Sequence, residues 1–354
     1  MIRQQFDTSI KKWRFVFIGL VIALVVVFFM SLVLGSVSIP ISQTIKFLIG
    51  QQIENVGWQS ILFNFRLPKA LTSLLVGSAL GISGLQMQTF FRNPIAGPFI
   101  LGISSGAGLG VALVIFLGFS FGIYFGIPDL ARDWLLVTSA ALGSFVVLSI
   151  VGLASIRVKS SVSLLIIGLM FASTISAVVS IMQFFSQAEN IQAYVIWSFG
   201  SLGSLSWNEL KVLIPVVVFG CGLSFVLSKQ LNALLLGENY AASMGMNLKT
   251  TRLLIIANTS LLAGSVTAFC GPIAFIGLAI PHLARMLFNT SNHLLLTPLV
   301  ILLGGTAMLI FDIIAQLPGS DAVLPINAVT SLLGAPFVIW LVLRRNNLQY
   351  SFDK

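Results

Sequence analysis

Apolar residues run through this chain in long blocks separated by short polar clusters. Between successive charged residues lie uninterrupted stretches at 15–45, 70–91, 93–128, 134–156, 160–188, 212–228, 253–284, 286–311 and 322–343. About 20 apolar residues in an α-helix cross the hydrocarbon core of a bilayer, so most stretches hold one helix and the longest hold two. The pattern predicts ten helices, near 15–36, 66–91, 97–118, 132–155, 162–184, 207–228, 250–270, 272–288, 294–315 and 324–343. Stretch 253–284 is divided at Cys270-Gly271-Pro272, where Gly and Pro together punctuate a helix.

Charge tests that count. With the N-terminus in the cytoplasm, Arg3, Lys11, Lys12, Arg14, Arg92, Arg157, Lys159, Lys229, Lys249, Arg252, Arg285, Arg344, Arg345 and Lys354 fall inside. Lys46, Arg66, Lys69, Arg132 and Lys211 fall outside, a bias of 14 to 5. This is the positive-inside pattern, and it places both termini in the cytoplasm. Joining 253–284 into one helix would move Arg285, Arg344 and Arg345 to the other side and weaken the bias. The expected fold is all-α and polytopic, with one transmembrane domain over residues 1–354. Residues 1–14 form a cytoplasmic N-terminus and 229–249 a cytoplasmic segment. Block 15–35 is long enough to span and lacks a small-residue cleavage site, so it reads as the first helix and not as a leader. Pro94-Ile95-Ala96 with Gly102-Ile103 is echoed by Pro272-Ile273-Ala274 with Gly277-Leu278, 178 residues later. In the ten-helix reading the two segments belong to helices of opposite direction, a faint mark of two inverted halves.

Composition agrees and narrows the class. Of 354 residues, 57% are hydrophobic and 8% charged, with mean hydropathy +1.03, against roughly 25% charged in a soluble domain. The formal charge of +9 sits in short loops, which speaks for a lipid bilayer and not for nucleic acid. Cys221 and Cys270 lie in apolar blocks without C-x-x-C spacing and read as packing residues. Two His and two Cys without ligand spacing provide no metal site, so any transported metal would arrive already chelated. G-x-x-x-x-G-K-[ST] does not occur, so transport that consumes ATP requires a separate ATPase subunit.

Three features carry candidate chemistry. Gly102-Ile103-Ser104-Ser105-Gly106 fits the G-x-S-x-G turn of serine hydrolases, which needs a preceding strand and a His with an acid to activate the serine. A Pro-broken apolar segment precedes Ser104, and the only histidines, His282 and His293, fall near the cytoplasmic ends of late helices. No catalytic residue is assigned. These glycines, like Gly77-x-x-x-Gly81, are read as sites of close helix approach, with Ser104 and Ser105 as packing or pathway groups. Asp312 is the one acid deep in an apolar block. It either pairs with a neighbouring helix, the favoured reading because no second acid accompanies it, or couples transport to protons. Segment LGENYAASMGMNLK, 236–249, is polar and rich in small residues. It is either a solvated loop or a docking surface for a cytosolic partner.

Several stretches, taken together, resemble the FecCD-type permeases of binding-protein-dependent ABC importers, which carry iron-siderophores, haem and cobalamin. FRLPKALTSLLVGSALGISGLQMQTFFRNPIAGPFILGISSGAGLG is similar to that family's R-L-P-R segment, glycine-rich second helix and N-P-L-A-x-P-x-x-L-G-x-S-x-G-A stretch. LLLGENYAASMGMNLKTTR resembles its coupling segment, GPIAFIGLAIPHLARML its G-P-I-x-F-x-G-L-x-x-P-H-x-x-R signature, and LPINAVTSLLGAPFVIWLVLRR its final helix.

The resemblance implies a permease that pairs with a second copy or a paralogue around a central pathway in the inner membrane. Two cytosolic ATPases, carrying ATP and Mg²⁺, bind below and a periplasmic binding protein docks above, while this chain holds no cofactor. It implies that Gly237, Glu238, Asn239, Ala241, Ala242 and Gly245 belong to the short helices that fit the ATPase. Ser160 and Ser161 match the family's cytoplasmic gate, and Arg66 and Lys69 its basic pair for glutamates of the binding protein. The family's third outer arginine is Gln316 here, which lowers the docking charge. The implied cargo is a metal chelate, an iron(III) siderophore first, with haem or cobalamin as alternatives. An intramembrane serine hydrolase and a proton-coupled transporter are the competing classes.

Overall fold

Fifteen α-helices build the described part of the chain, residues 2–53, 55–118, 129–158, 161–317 and 322–343 of a computed structural model. In order they are α1 (Ile2–Val33), α2 (Ile41–Leu48), α3 (Val56–Ile61), α4 (Leu67–Phe90), α5 (Ile103–Ala112), α6 (Asp129–Arg157), α7 (Ser161–Phe184), α8 (Ala188–Ser198), α9 (Trp207–Val226), α10 (Ser228–Leu235), α11 (Glu238–Ser243), α12 (Leu248–Cys270), α13 (Ile276–Phe288), α14 (His293–Ala315) and α15 (Ile326–Leu343). No strand occurs among the described residues. The protein is an all-helical, polytopic membrane chain. Seven described helical segments are long and apolar enough to cross a bilayer, and Ile103–Leu117, Ile276–Phe288 and Ile326–Trp340 are apolar but shorter.

Each of the ten predicted helices has a counterpart, and the differences lie at their ends. Helix α1 begins at Ile2, well before the first apolar block. Helix α5 opens at Ile103 and not at 97, because Gly102 takes φ 76° after a 3-10 turn over Pro98–Leu101. Stretch 253–284 is two helices, as the Gly-Pro punctuation predicts: α12 stops at Cys270, Gly271 takes φ 72°, and α13 starts only at Ile276, after Phe275 at φ 67°. The echoed Pro-Ile-Ala segments thus each lead to a helix entered through a positive-φ residue. The break is stitched by backbone, with Ser201 N donating to Cys270 O at 2.8 Å and Ala274 N to Asn327 Oδ1 at 3.1 Å.

Helix α4 is the buried centre, packed mainly on α14, α13 and α12. Its small residues permit this. A Cβ on Gly77 would lie 2.0 Å from Gly304 O, and one on Gly81 would lie 2.9 Å from Val300 Cγ1. Lipid tails are as apolar as Leu, so close backbone approach is what gives such helices packing energy. The same device joins α5 to α6, where Gly106 crosses Gly143 and Gly110 meets Ser139 O at 2.0 Å from a built Cβ. Of the G-x-S-x-G glycines, Gly106 therefore serves helix contact, as expected, while Gly102 supplies the positive-φ turn before α5.

A network of buried polar groups is paired across helices in the core, where hydrocarbon offers no water. Gln86 Nε2 donates to Ser224 Oγ at 2.9 Å, Thr259 Oγ1 donates to Gln86 Oε1 at 3.0 Å, and Asn258 Nδ2 donates to Ser224 Oγ at 2.9 Å. This network ties α4, α9 and α12. Cys221 and Cys270 are free thiols in the packing.

Candidate functional site

Three places gather the residues singled out by sequence, and the first is a corner of two short helices. Gly237, at φ 110°, turns α10 into α11, and Gly245, at φ 83°, turns α11 toward α12. Only glycine adopts such φ values without cost. Ala241 is fully buried against the body, while Leu236, Tyr240 and Met244 are 60%, 53% and 64% exposed, an apolar outer face. Asn239, Ala242 and Gly245 share that exposure. Glu238 instead faces inward, where Arg252 Nη2 donates to both of its carboxylate oxygens at 2.7 Å.

This corner is held from behind. Arg252 Nη1 donates to Val158 O at 3.1 Å, and Arg92 Nη2 to Leu235 O at 3.4 Å. His293, fully buried, has Nδ1 2.8 Å from Asn232 Oδ1 and Nε2 2.8 Å from Thr89 Oγ1, linking α10, α14 and α4. Next to it, His282 Nε2 lies 2.6 Å from Pro94 O and Arg285 Nη1 donates to Gln88 Oε1 at 2.5 Å. The two signature stretches around Asn93-Pro94 and Pro281-His282 thus grip each other. Arg252, Asn232 and His293 were not singled out by sequence reasoning. A charge in the first turns of a spanning helix is costly unless paired, and that signal points to Arg252. Of the expected gate pair, Ser160 lies outside the described residues, and Ser161 is the first residue of α7.

At the opposite end, where the charge bias puts the outside, a cavity of about 360 Å³ is lined by Val37, Phe65, Arg66, Lys69, Asp312 and Gln316 among others. Arg66 Nη1 donates to Leu32 O at 2.7 Å and Val33 O at 2.8 Å, and its Nη2 donates to Val37 O. The guanidinium thereby caps the C-terminal turn of α1, whose last carbonyls have no helical donors. Lys69 Nζ lies 3.1 Å from Asp312 Oδ1, and Gln316 Nε2 donates to Asp312 Oδ2 at 2.9 Å. Asp312 thus pairs with a neighbouring helix, the favoured one of its two sequence readings. The expected docking pair is brought together at this cavity with each member already engaged.

Between these ends, Ser104, Ser105, Ser176, Ser180, Gln183 and Tyr194 border a cavity of about 300 Å³ between α5, α7 and α8. A serine nucleophile needs a base within hydrogen-bond reach. Both histidines make their contacts elsewhere, at Pro94, Thr89 and Asn232. The cavity is a polar recess beside α7, a helix whose apolar window is only 22% buried within this chain.

The sequence profile of the FecCD transport family matches residues 23–344. The chain is 33% identical over 328 residues to the hemin transport system permease protein HmuU of Yersinia pestis, covering 92% of this chain and 96% of that protein. It is 36% identical over 337 residues to the vitamin B12 import system permease protein BtuC of Klebsiella pneumoniae, covering 94% of each. A solved structure described as an inward-facing conformation of a transporter of the metal-chelate ABC type aligns with TM-score 0.81 and 34% identity, over 93% of this chain and 99% of that one.

Proposed function

The chain belongs to the FecCD transport family as a permease subunit of an ABC importer and not as an enzyme, and from that premise we propose that its cargo is an iron(III) siderophore. Haem and cobalamin are the second reading, suggested by the names of two similar permeases. The siderophore is supported by the hydroxyls of Ser104, Ser105, Ser176, Ser180 and Tyr194, donors and acceptors for an oxygen-rich chelate in a recess that Ile175, Val179 and Trp197 also line. A preformed chelate needs a path without strong metal ligands. Affinity then resides in the binding protein and energy in the ATPase.

The observation that carries the reading is the exposed apolar face of α10 and α11, held to the body by Arg252 and His293. Gly237, Glu238, Asn239, Ala241, Ala242 and Gly245 belong to this corner, which seats against a cytosolic ATPase carrying ATP and Mg²⁺. Two such ATPases serve two permeases, the second being another copy or a paralogue that covers the exposed side of α7. Ser160 and Ser161 gate the path on the cytoplasmic side. Arg66 and Lys69 belong to the surface that receives a periplasmic binding protein. The protein lies in the inner membrane with ten spans, two inverted halves and both termini in the cytoplasm, as one domain over residues 1–354.

Reconstitution tests this. Proteoliposomes holding the permease, its ATPase and a binding protein are assayed with a ferric siderophore, haem, cobalamin and molybdate. ATP-dependent uptake of the siderophore alone is expected. Uptake that persists with a hydrolysis-dead ATPase would overturn the transporter class, and preference for haem or cobalamin would move the cargo to the second reading.

A further inference from the structure

The two outer basic residues stand three positions apart on the same helical entry, yet they are held in different ways. Arg66 is 8% exposed and spends its guanidinium on three backbone carbonyls of the turn after α1. It is also boxed in: a Cβ on Gly35 would lie 2.9 Å from Arg66 Nη2. Leaving that place would strip the carbonyls of Leu32, Val33 and Val37 of a donor. Lys69 differs. Its side chain is 20% exposed at the rim of the outer cavity, and its partner is a single carboxylate oxygen of Asp312. An ammonium on a flexible four-carbon stem has three donors and can change partners at little geometric cost.

Asp312 holds the ammonium that a partner's carboxylate would have to take over. Its side chain is 3% exposed, with Lys69 on one oxygen and Gln316 on the other. Among the described residues that line the cavity are two cations, Arg66 and Lys69, and one carboxylate, Asp312.

We propose that Asp312 is an internal competitor for the acidic side chain of a docking protein: Lys69 exchanges between Asp312 in the resting chain and a partner's Glu or Asp in the docked complex. Arg66 in this scheme is the fixed clasp of the outer turn, and Lys69 is the exchanging contact. The Lys69–Asp312 pair also joins the outer start of α4 to the outer end of α14. Drawing Lys69 away loosens that tie, so docking is felt by the central helix. The inference rests on the reading of this face as the receptor for a binding protein.

The test uses the whole permease–ATPase complex in nanodiscs and the binding protein that supports uptake in the assay above. Its affinity is measured at low salt for wild type, Lys69→Gln, Asp312→Asn and the double variant. Lys69→Gln should weaken docking about tenfold and Asp312→Asn should tighten it about tenfold, as expected for a charge at a binding surface. In the Lys69→Gln background the gain from Asp312→Asn should disappear. Should Asp312→Asn fail to assemble, Gln316→Leu serves, since it leaves both oxygens of Asp312 to Lys69; about threefold weaker docking is expected. Affinity unchanged or lower in Asp312→Asn, with Lys69→Gln still weakened, would overturn the competition and leave the docking face intact. Affinity unchanged in Lys69→Gln would overturn the docking face itself.

Discussion

Arg252 holds Glu238 through both carboxylate oxygens at 2.7 Å with one arm of its guanidinium, and with the other arm it holds Val158 O at 3.1 Å. Glu238 is the first residue of α11, and Val158 lies three residues before the start of α7. One side chain on α12 therefore ties the corner proposed to meet the ATPase to Val158, the last described residue before α7. Planar guanidinium geometry makes this double hold, which an ammonium cannot reproduce.

Arg252→Met should break both contacts while leaving the outer face of α11 unchanged. The expected outcome in proteoliposomes is at least about tenfold less chelate taken up per ATP hydrolysed, the loss of a charge-assisted, partly buried pair being worth about 1.5–3 kcal/mol. Arg252→Lys should fall between, keeping one contact. Uptake and hydrolysis falling in parallel would show that Arg252 merely supports the fold.

Helix contact in the buried centre gives a sharper stability test. A Cβ on Gly84 would lie 1.5 Å from Gly277 O, a backbone atom that cannot swing away, whereas one on Gly222 meets nothing within 4 Å. Both glycines lie inside helices, so propensity is equal and only the space differs. Gly84→Ala should lower thermal stability in detergent by about 1–3 kcal/mol or more, the cost of overpacking. Gly222→Ala should be neutral or gain about 1 kcal/mol from helix propensity. Equal stability of the two variants would contradict the packing of α4 on α13.

The recess at Ser104 separates a hydrolase from a pathway. Ser104→Ala should leave uptake within about twofold of wild type, since it removes a single neutral hydroxyl. Gly108→Leu fills the same recess, where a Cβ alone would lie 2.9 Å from Tyr194 Oη. Uptake should drop in that variant while ATP hydrolysis continues. Loss of uptake in Ser104→Ala, accompanied by loss of a hydrolytic activity, would restore the serine chemistry.

How far the sequence reaches is clear from single residues. Nine apolar blocks gave the ten expected helices, and Gly271-Pro272 broke block 253–284 in two, because length and φ preference are local properties. Helices α2 and α8 escaped notice because they are short, 8 and 11 residues, and carry polar residues, which counting apolar spans does not register. At the site, the small-residue character of 237–245 was readable, and the resemblance marked Arg66 and Lys69. The partners were not. Glu238 finds Arg252 fourteen positions on, and Lys69 finds Asp312 across most of the chain, pairings set by packing and invisible to spacing. His293 passed as an ordinary residue at a helix start until Thr89 and Asn232 closed on it.

That histidine carries the last prediction. Its two ring nitrogens meet side chains from α4 and α10, and Asn232 Oδ1 also accepts from His293 N at 2.9 Å, while Asn232 Nδ2 reaches Asn292 Oδ1 at 3.0 Å. His293 and Thr89 are buried while Asn232 is half-exposed, so removing the ring costs the buried Thr89 hydroxyl one of its two contacts and leaves Asn232 its backbone and Asn292 partners. His293→Leu removes both ring contacts without adding bulk to the buried site, at an expected cost of about 1–3 kcal/mol. If the knot anchors the ATPase-facing corner, amide hydrogen exchange should quicken across 228–243, while the outer ends of α4 and α14 stay protected. Asn232→Ala should give the same pattern. Global loss of protection in both variants would assign His293 to the stability of the whole bundle, and exchange unchanged at 228–243 would show that the corner is held by Arg252 and Arg92.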